Sequence, residues 1–220
     1  MACNIRAQET SGQRALLLTT LMVPLAGWAL HAATLHRRLA AAQRDPLTGA
    51  HRRSAFQRRA QRLVTRHQRG AVLCLVDLDH FKALNDRYGH VAGDIVLAAT
   101  SRRLSRWAGA PGVVGRLGGD EFAVAACRHP DTVQELVRTL REPVLTDAGA
   151  IAVAASVGVA APEQLRTQAL PTLLRYADIA MYRAKHSGSA GMARPEDVEL
   201  APLNGHRVGR PGTQVEGSAA

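Results

Sequence analysis

VVGRLGGDEFAVAAC, residues 113–127, is the stretch on which the fold turns. Val113 to Leu117 and Phe122 to Cys127 read as two short strands. The Gly118-Gly119 pair between them predicts a two-residue hairpin turn, with glycine supplying the positive φ that such a turn demands. Its tip carries two acids, Asp120 and Glu121. A lone Gly-Gly-Asp-Glu string is ordinarily just a hairpin tip, so its chemistry depends on what the rest of the chain places beside it.

Working outward, Ala71 to Val76 is a continuous apolar run, the pattern of a strand buried on both faces, and it ends on Asp77. His80 to Arg87 reads as a helix closing at Tyr88-Gly89. Val91 to Trp107 reads as a second helix, with Val91, Ile95, Ala98 and Ala99 on one face. Upstream, Asp45-Pro46-Leu47-Thr48-Gly49 breaks the chain into a turn, and Ser54 to His67 follows as a helix packing Phe56, Ala60, Leu63 and Val64. Downstream come a helix over Asp131–Arg141, a strand over Ile151–Val159 interrupted by Ser156, and a strongly periodic helix over Leu170–His186. Helices alternate with strands around one mid-domain hairpin. The expected class is therefore α/β (α+β), a split βαβ, ferredoxin-like arrangement: a mainly antiparallel sheet of four or five strands with helices on its faces. Residues 45–190 form the expected domain. Gly, Pro and charged residues dominate 191–220, which reads as a largely disordered tail.

The 220 residues suffice for one well-buried domain with flanking segments. The three cysteines, Cys3, Cys74 and Cys127, lack metal-ligand spacing and read as free thiols. The net charge is +10, carried by arginine; Lys82 and Lys185 are the only lysines. Between Arg37 and Arg69 stand ten arginines and one acid, Asp45. Such a run is either a solvated basic face or a surface attracted to anionic lipid or to nucleotide phosphate. No aromatics interleave with the arginines, which argues against nucleic acid. Residues 15–35, ALLLTTLMVPLAGWALHAATL, carry no formal charge and have about the ~20 residues needed to cross a bilayer. A membrane anchor, a soluble amphipathic helix and a cleaved signal peptide remain open for this stretch. The anchor reading is preferred: a single pass after an N-terminal segment (1–14), with the excess arginines beyond it keeping the C-terminal part cytoplasmic at the inner membrane. Residues 36–44 read as a connector helix.

An Asp at the carboxyl end of a buried strand sits at the ligand-facing edge of an α/β sheet. If that strand neighbours the hairpin, Asp77, Asp120 and Glu121 converge. Carboxylate and carbonyl oxygens suit Mg²⁺ together with substrate phosphates. Lys82 can cover phosphate charge, and glycine-rich turns and helix N-termini offer N–H donors. That combination points to phosphoryl or nucleotidyl transfer.

Several motifs agree in order and spacing: DPLTG at 45–49, DLDHFKALNDRYGHVAGD at 77–94, RLGGDEF at 116–122, ASVGVA at 155–160 and ADIAMYRAK at 177–185. With them the chain, from Asp45 to about Gly188, resembles the GGDEF family of diguanylate cyclases. The resemblance implies the fold of a nucleotidyl cyclase palm and the condensation of two GTP into cyclic di-GMP and pyrophosphate. It implies Mg²⁺ (or Mn²⁺) held by Asp77, the Leu78 carbonyl and Asp120, with Glu121 deprotonating the ribose 3′-hydroxyl or binding a second metal. Asn85 and Asp94 would read the guanine edge, with Phe81 and His90 in the same substrate-binding segment. Gly118 and Gly119 would admit the phosphates, and Lys82 and Lys185 would neutralise them. A homodimer is implied, because each site holds one GTP and two domains must face each other.

Three positions depart from the family pattern. The Arg and Asp of its product-binding motif are replaced by Gly109 and Gly112, so no product inhibition is expected there. Ser189 stands where a phosphate-binding Arg is usual. Arg52-Arg53-Ser54 replaces Asn-Arg-Arg. The retained carboxylates favour an active enzyme; a degenerate domain that binds GTP or a protein partner without turnover is the alternative.

Overall fold

The computed structural model describes residues 22, 25–35, 42–187 and 190–198. The chain divides into two units, Met1–Arg44 and Asp45–Ala220. In the first, residues 25–35 are helical, with Leu25, Trp28, Leu30 and Leu35 exposed. Among the described residues no helix is long and apolar enough to cross a membrane. Most of 15–24 and all of 36–41 lie outside the described residues, as do 199–220.

In the second unit the order is β1 (His51–Arg52), α1 (Arg53–Arg66), β2 (Ala71–Leu78), α2 (Phe81–Tyr88), α3 (His90–Ala108), β3 (Val113–Arg116) and β4 (Glu121–Cys127). Then follow α4 (Val133–Arg141), β5 (Val144–Thr146), β6 (Gly149–Ile151), β7 (Ala155–Ala160), α5 (Leu170–Ser187) and β8 (Ala190–Met192). Six strands form one mixed sheet in the order β1-β3-β4-β2-β7-β8. Every residue of β2 is buried, as its unbroken apolar run requires. β4 inserts antiparallel between β2 and β3, so β2 and β3 run parallel but apart, joined through α2 and α3. This is the expected split βαβ. The parallel edge pairs β1–β3 and β7–β8 were not expected from sequence; strands of two or three residues show no hydrophobic period.

Residue parity assigns the two faces. Val72, Cys74, Val76 and Leu78 of β2 join Phe122 and Val124 of β4 beneath α3 and α4, with Leu104, Leu136 and Leu140. Leu73 and Leu75 join Ala123 and Ala125 beneath α1 and α5, with Phe56, Leu63, Leu173 and Met181. α5 lies against β7 because Gly158 has no side chain; a Cβ there would strike the backbone of Ala177 and Met181. Cys74 and Cys127 are free thiols; burial pushes the Cys74 thiol up to about 12, which leaves it inert.

Three expectations need correction. Ile151 does not begin the strand that carries Ser156. It closes a separate β5–β6 hairpin, where Gly149 adopts φ +101°, and the sheet strand starts at Ala155. The hairpin tip is not a two-residue turn: β3 and β4 are joined by residues 117–120, and neither Gly118 nor Gly119 has positive φ. Order does not stop at residue 190, because β8 and a 3₁₀ turn at Pro195–Val198 continue the structure. Buried Asp197 holds that turn, accepting from the Arg194 amide at 2.6 Å and from Arg183 Nη2 at 2.7 Å.

Arg103 of α3, also buried, ends α4. It donates to the carbonyls of Leu140 (3.2 Å), Glu142 (2.7 Å) and Pro143 (3.0 Å). A lysine has no planar fork to span three carbonyls. Arg103→Lys is expected to destabilise the fold by about 2 kcal/mol, read as a lower denaturant midpoint with unchanged slope; an unaltered midpoint would show that water replaces these bonds freely.

Candidate active site at the carboxyl edge of β2

The register of the sheet builds the site. Asp77 lies opposite Glu121 on β4 and opposite Ser156 on β7. Directly opposed residues share a face, so both carboxylates project on the α1/α5 side, and both residues are buried. Asp120 precedes Glu121, and its carbonyl accepts from the Leu78 amide at 3.3 Å. Lys185, on the last turn of α5, places Nζ 2.7 Å from Asp77 Oδ1. Burial pushes the Asp77 carboxyl up, Lys185 counters it, and Asp120 and Glu121 push the same way as burial. A buried carboxylate whose negative neighbours resist its ionisation favours an added cation.

No three acidic, His or Cys side chains among the described residues form a closed metal cage. The donors nevertheless fit Mg²⁺. All are hard oxygens, and this ion keeps water and is characteristically held by one or two carboxylates plus substrate phosphate. Asp77, Asp120 and the Leu78 carbonyl are the residues that would hold it.

The tip 117–120 is propped from two sides. Arg53 donates to the Leu117 carbonyl through Nε (3.3 Å) and Nη2 (2.9 Å). Arg116 donates to the Gly119 carbonyl through Nε (3.1 Å) and Nη2 (2.7 Å). Arg116 also pairs with Asp45 at 3.0 Å, and Asp45 closes the DPLTG turn by accepting from the Thr48 amide (2.9 Å) and hydroxyl (2.6 Å). Gly118 leaves room beside the acid, since a Cβ there would lie 3.2 Å from Glu121 Oε2, while Gly119 faces open space. Sequence reading missed Arg53, Arg116 and Asp45 as supports of the tip. Their motifs were visible, but their partners are long-range.

Burial raises the Asp45 pKa, and the hydrogen bonds from Thr48 and Arg116 with the Arg116 charge outweigh it, leaving the group lowered. A depressed carboxyl contributes stability above the ordinary carboxylate range, lost as pH falls through the lowered folded value. Asp45→Asn is thus expected to cost about 1–2 kcal/mol at neutral pH. The gap in melting temperature from the parent should close as pH drops below about 4; a gap independent of pH would contradict the charged role.

A second group of residues sits where α2 meets α3. His80 adopts φ 56° and turns the chain from β2 into α2. Lys82 is exposed on the first turn of α2 and has no partner among the described residues. Asn85 lies against Gly93, where a Cβ would collide with its Oδ1 and approach Phe81 Cζ to 3.2 Å. Oδ1 of Asn85 is buried with no hydrogen-bond partner. Asp94 follows Gly93 and is exposed, as is His90 at the start of α3. A buried orphan acceptor beside an exposed carboxylate is an arrangement that a ligand with several N–H donors would satisfy. Ser156, which sequence reading noted only as an interruption, donates to Asp79 Oδ1 at 2.8 Å, and the Asp79 amide donates to the Ala154 carbonyl. These bonds hold the turn after β2. The structure therefore brings together Asp77, Glu121 and Lys185 by side chain and Phe81, Asn85 and Gly93 by packing. It does not join Lys82 to Lys185. Ser189 lies outside the described residues.

The profile of the family described as "Diguanylate cyclase, GGDEF domain" matches residues 42–190. The chain is 52% identical over 176 residues to the uncharacterized 19.3 kDa protein of the repSA 5′ region of Streptomyces ambofaciens, covering 79% of this chain and 94% of that one. It is 34% identical over 181 residues to the diguanylate cyclase TpbB of Pseudomonas aeruginosa, covering 76% of this chain and 39% of the relative, so it spans less than half of that protein. Among solved structures, the GGDEF domain of TpbB superposes with a TM-score of 0.61 at 32% identity, covering 71% of this chain and 98% of that one. With the split βαβ sheet, the paired acids and the propped tip, these likenesses show that the chain belongs to the GGDEF diguanylate cyclase domain family.

Proposed function

We propose that this protein is an active diguanylate cyclase that condenses two GTP into cyclic di-GMP and two pyrophosphates. The observation that carries this reading is the Asp77–Glu121 cross-strand pair beneath Lys185, close along the chain to the orphan acceptor of Asn85. Asn85 and Asp94 accept from the guanine N–H groups. Lys82 and Lys185 bear on the triphosphate. Mg²⁺, which Asp77, Asp120 and the Leu78 carbonyl would hold, would supply charge stabilisation for the phosphoryl transfer. Glu121 takes the proton from the ribose 3′-hydroxyl, the 3′ oxygen bonds to the α-phosphorus of the second GTP, and the bond to pyrophosphate breaks. Two such attacks close the ring, so two domains face each other about a twofold axis.

The test is incubation of the purified full chain with GTP and Mg²⁺ followed by product identification. Cyclic di-GMP is expected. GTP binding without product, at protein concentrations that favour dimers, would replace this reading by that of a binding module. Attachment to the cytoplasmic face of a membrane is the further part of the proposal, supported by the uncharged run 15–35 and the arginines after it. Deleting residues 1–40 should release the protein from the membrane pellet; unchanged pelleting would remove the anchor.

A further inference from the structure

Lys185 stands two residues from the end of α5, where a helix frays unless something holds its last turn. The segment 190–198 grips the helix just before that turn. β8 runs parallel to β7 at the sheet edge, and its Gly191 packs so closely on α5 that a Cβ would strike the Ala180 carbonyl. Tyr176 Oη donates to the Pro195 carbonyl at 3.1 Å. Arg183 Nη2 donates to the Met192 carbonyl at 3.1 Å and to Asp197 Oδ2 at 2.7 Å. Asp197 is 1% exposed, an interior charge whose described partners are Arg183 and the Arg194 amide. Removing one member of such a pair leaves the other uncompensated.

The geometry couples this strap to the catalytic edge. Tyr176, Ala180 and Arg183 lie on the flank of α5 that faces the strap. Lys185 is two residues beyond Arg183, about 200° round the helix, on the flank that reaches Asp77 of β2. The strap therefore sets the roll of α5 about its axis, and the roll decides whether Lys185 reaches the carboxylate edge. We infer that Asp197, through Arg183, is a positioning residue for Lys185. It lies beyond residues 42–190, where the family profile matches, and the inference rests on the phosphate role given to Lys185 above.

A double-mutant cycle on the full chain tests it, reading the affinity for a non-hydrolysable GTP analogue with Mg²⁺. Asp197→Ala should weaken binding about fivefold, and Lys185→Ala at least as much. In the Lys185→Ala background, Asp197→Ala should change affinity less than about twofold, because the residue it positions is gone. A global structural defect would instead add its loss in both backgrounds, and that outcome, or wild-type affinity for Asp197→Ala, overturns the inference. If Asp197→Ala does not fold, Arg183→Met breaks the same contact from the helix side, and the same cycle applies to it. Unchanged binding by Lys185→Ala would overturn the phosphate role of that lysine and this inference together, whereas a loss for Lys185→Ala without one for Asp197→Ala sinks the positioning role alone.

Discussion

Replacing Glu121 by glutamine is expected to lower cyclic di-GMP formation about a thousandfold while leaving the melting transition where it was. Glutamine has the shape of glutamate, so the close fit beside Gly118 and the register with Asp77 survive. What disappears is the carboxylate proposed to take the 3′-hydroxyl proton, and a positioned general base contributes typically 10²–10⁴-fold. Binding of a non-hydrolysable GTP analogue should change far less than turnover, because the contacts given to the base and the triphosphate lie on other residues. A variant that keeps a tenth of the parent's rate would move proton transfer to another group. One that loses activity and its fold together would make Glu121 structural.

The largest effect on stability is expected at Gly158. Its Cα–H faces α5 closely enough that an added Cβ would meet the Ala177 carbonyl, the Met181 amide and, at 2.6 Å, Met181 Cβ. Two of these three are backbone atoms, which cannot turn aside as a side-chain tip can. Gly158→Ala must therefore lift α5 from β7, loosening the packing of Leu173, Ala177 and Met181 against the sheet. Overpacking of this kind costs typically 1–3 kcal/mol and occasionally more. A loss of about 3 kcal/mol, roughly 10 °C in melting temperature for a domain of this size, is the expected result. Because α5 carries Lys185, GTP affinity should fall as well. A variant as stable as the parent would mean that helix and sheet separate at no cost, contrary to the close approach seen here.

Much of this fold was legible because the long elements carry their own period. The helices α1, α2, α3 and α5 begin and end within a residue or two of where apolar spacing and the flanking glycines place them, and the buried run 71–76 is the core of β2. Short strands were not legible. β1, β5, β6 and β8 have two or three residues each, too few for alternation to show, and their pairing depends on which edge is left uncovered. The hairpin tip misled for a related reason: two glycines promise positive φ, yet neither has it, and Gly118 instead provides space for Glu121.

For the site, the chain alone points to the acids. A strand ending on Asp77, a hairpin ending on Asp120-Glu121, and two lysines in an arginine-rich protein are local patterns, and local patterns survive in one dimension. Folding settles the rest, because register and packing join residues that are far apart in sequence. It sets Asp77 across from Glu121 and brings Lys185 onto it. Arg116 ties Asp45 to the tip, 71 residues away in sequence. Asp197 is drawn inside from a stretch whose composition suggested disorder. The hairpin thus owes its two acids, Asp120 and Glu121, to the sequence itself. Its shape and its neighbours are products of tertiary contact, since hydrogen-bond partners and helix–sheet distances are set by the packed whole and not by the residues beside them in the chain.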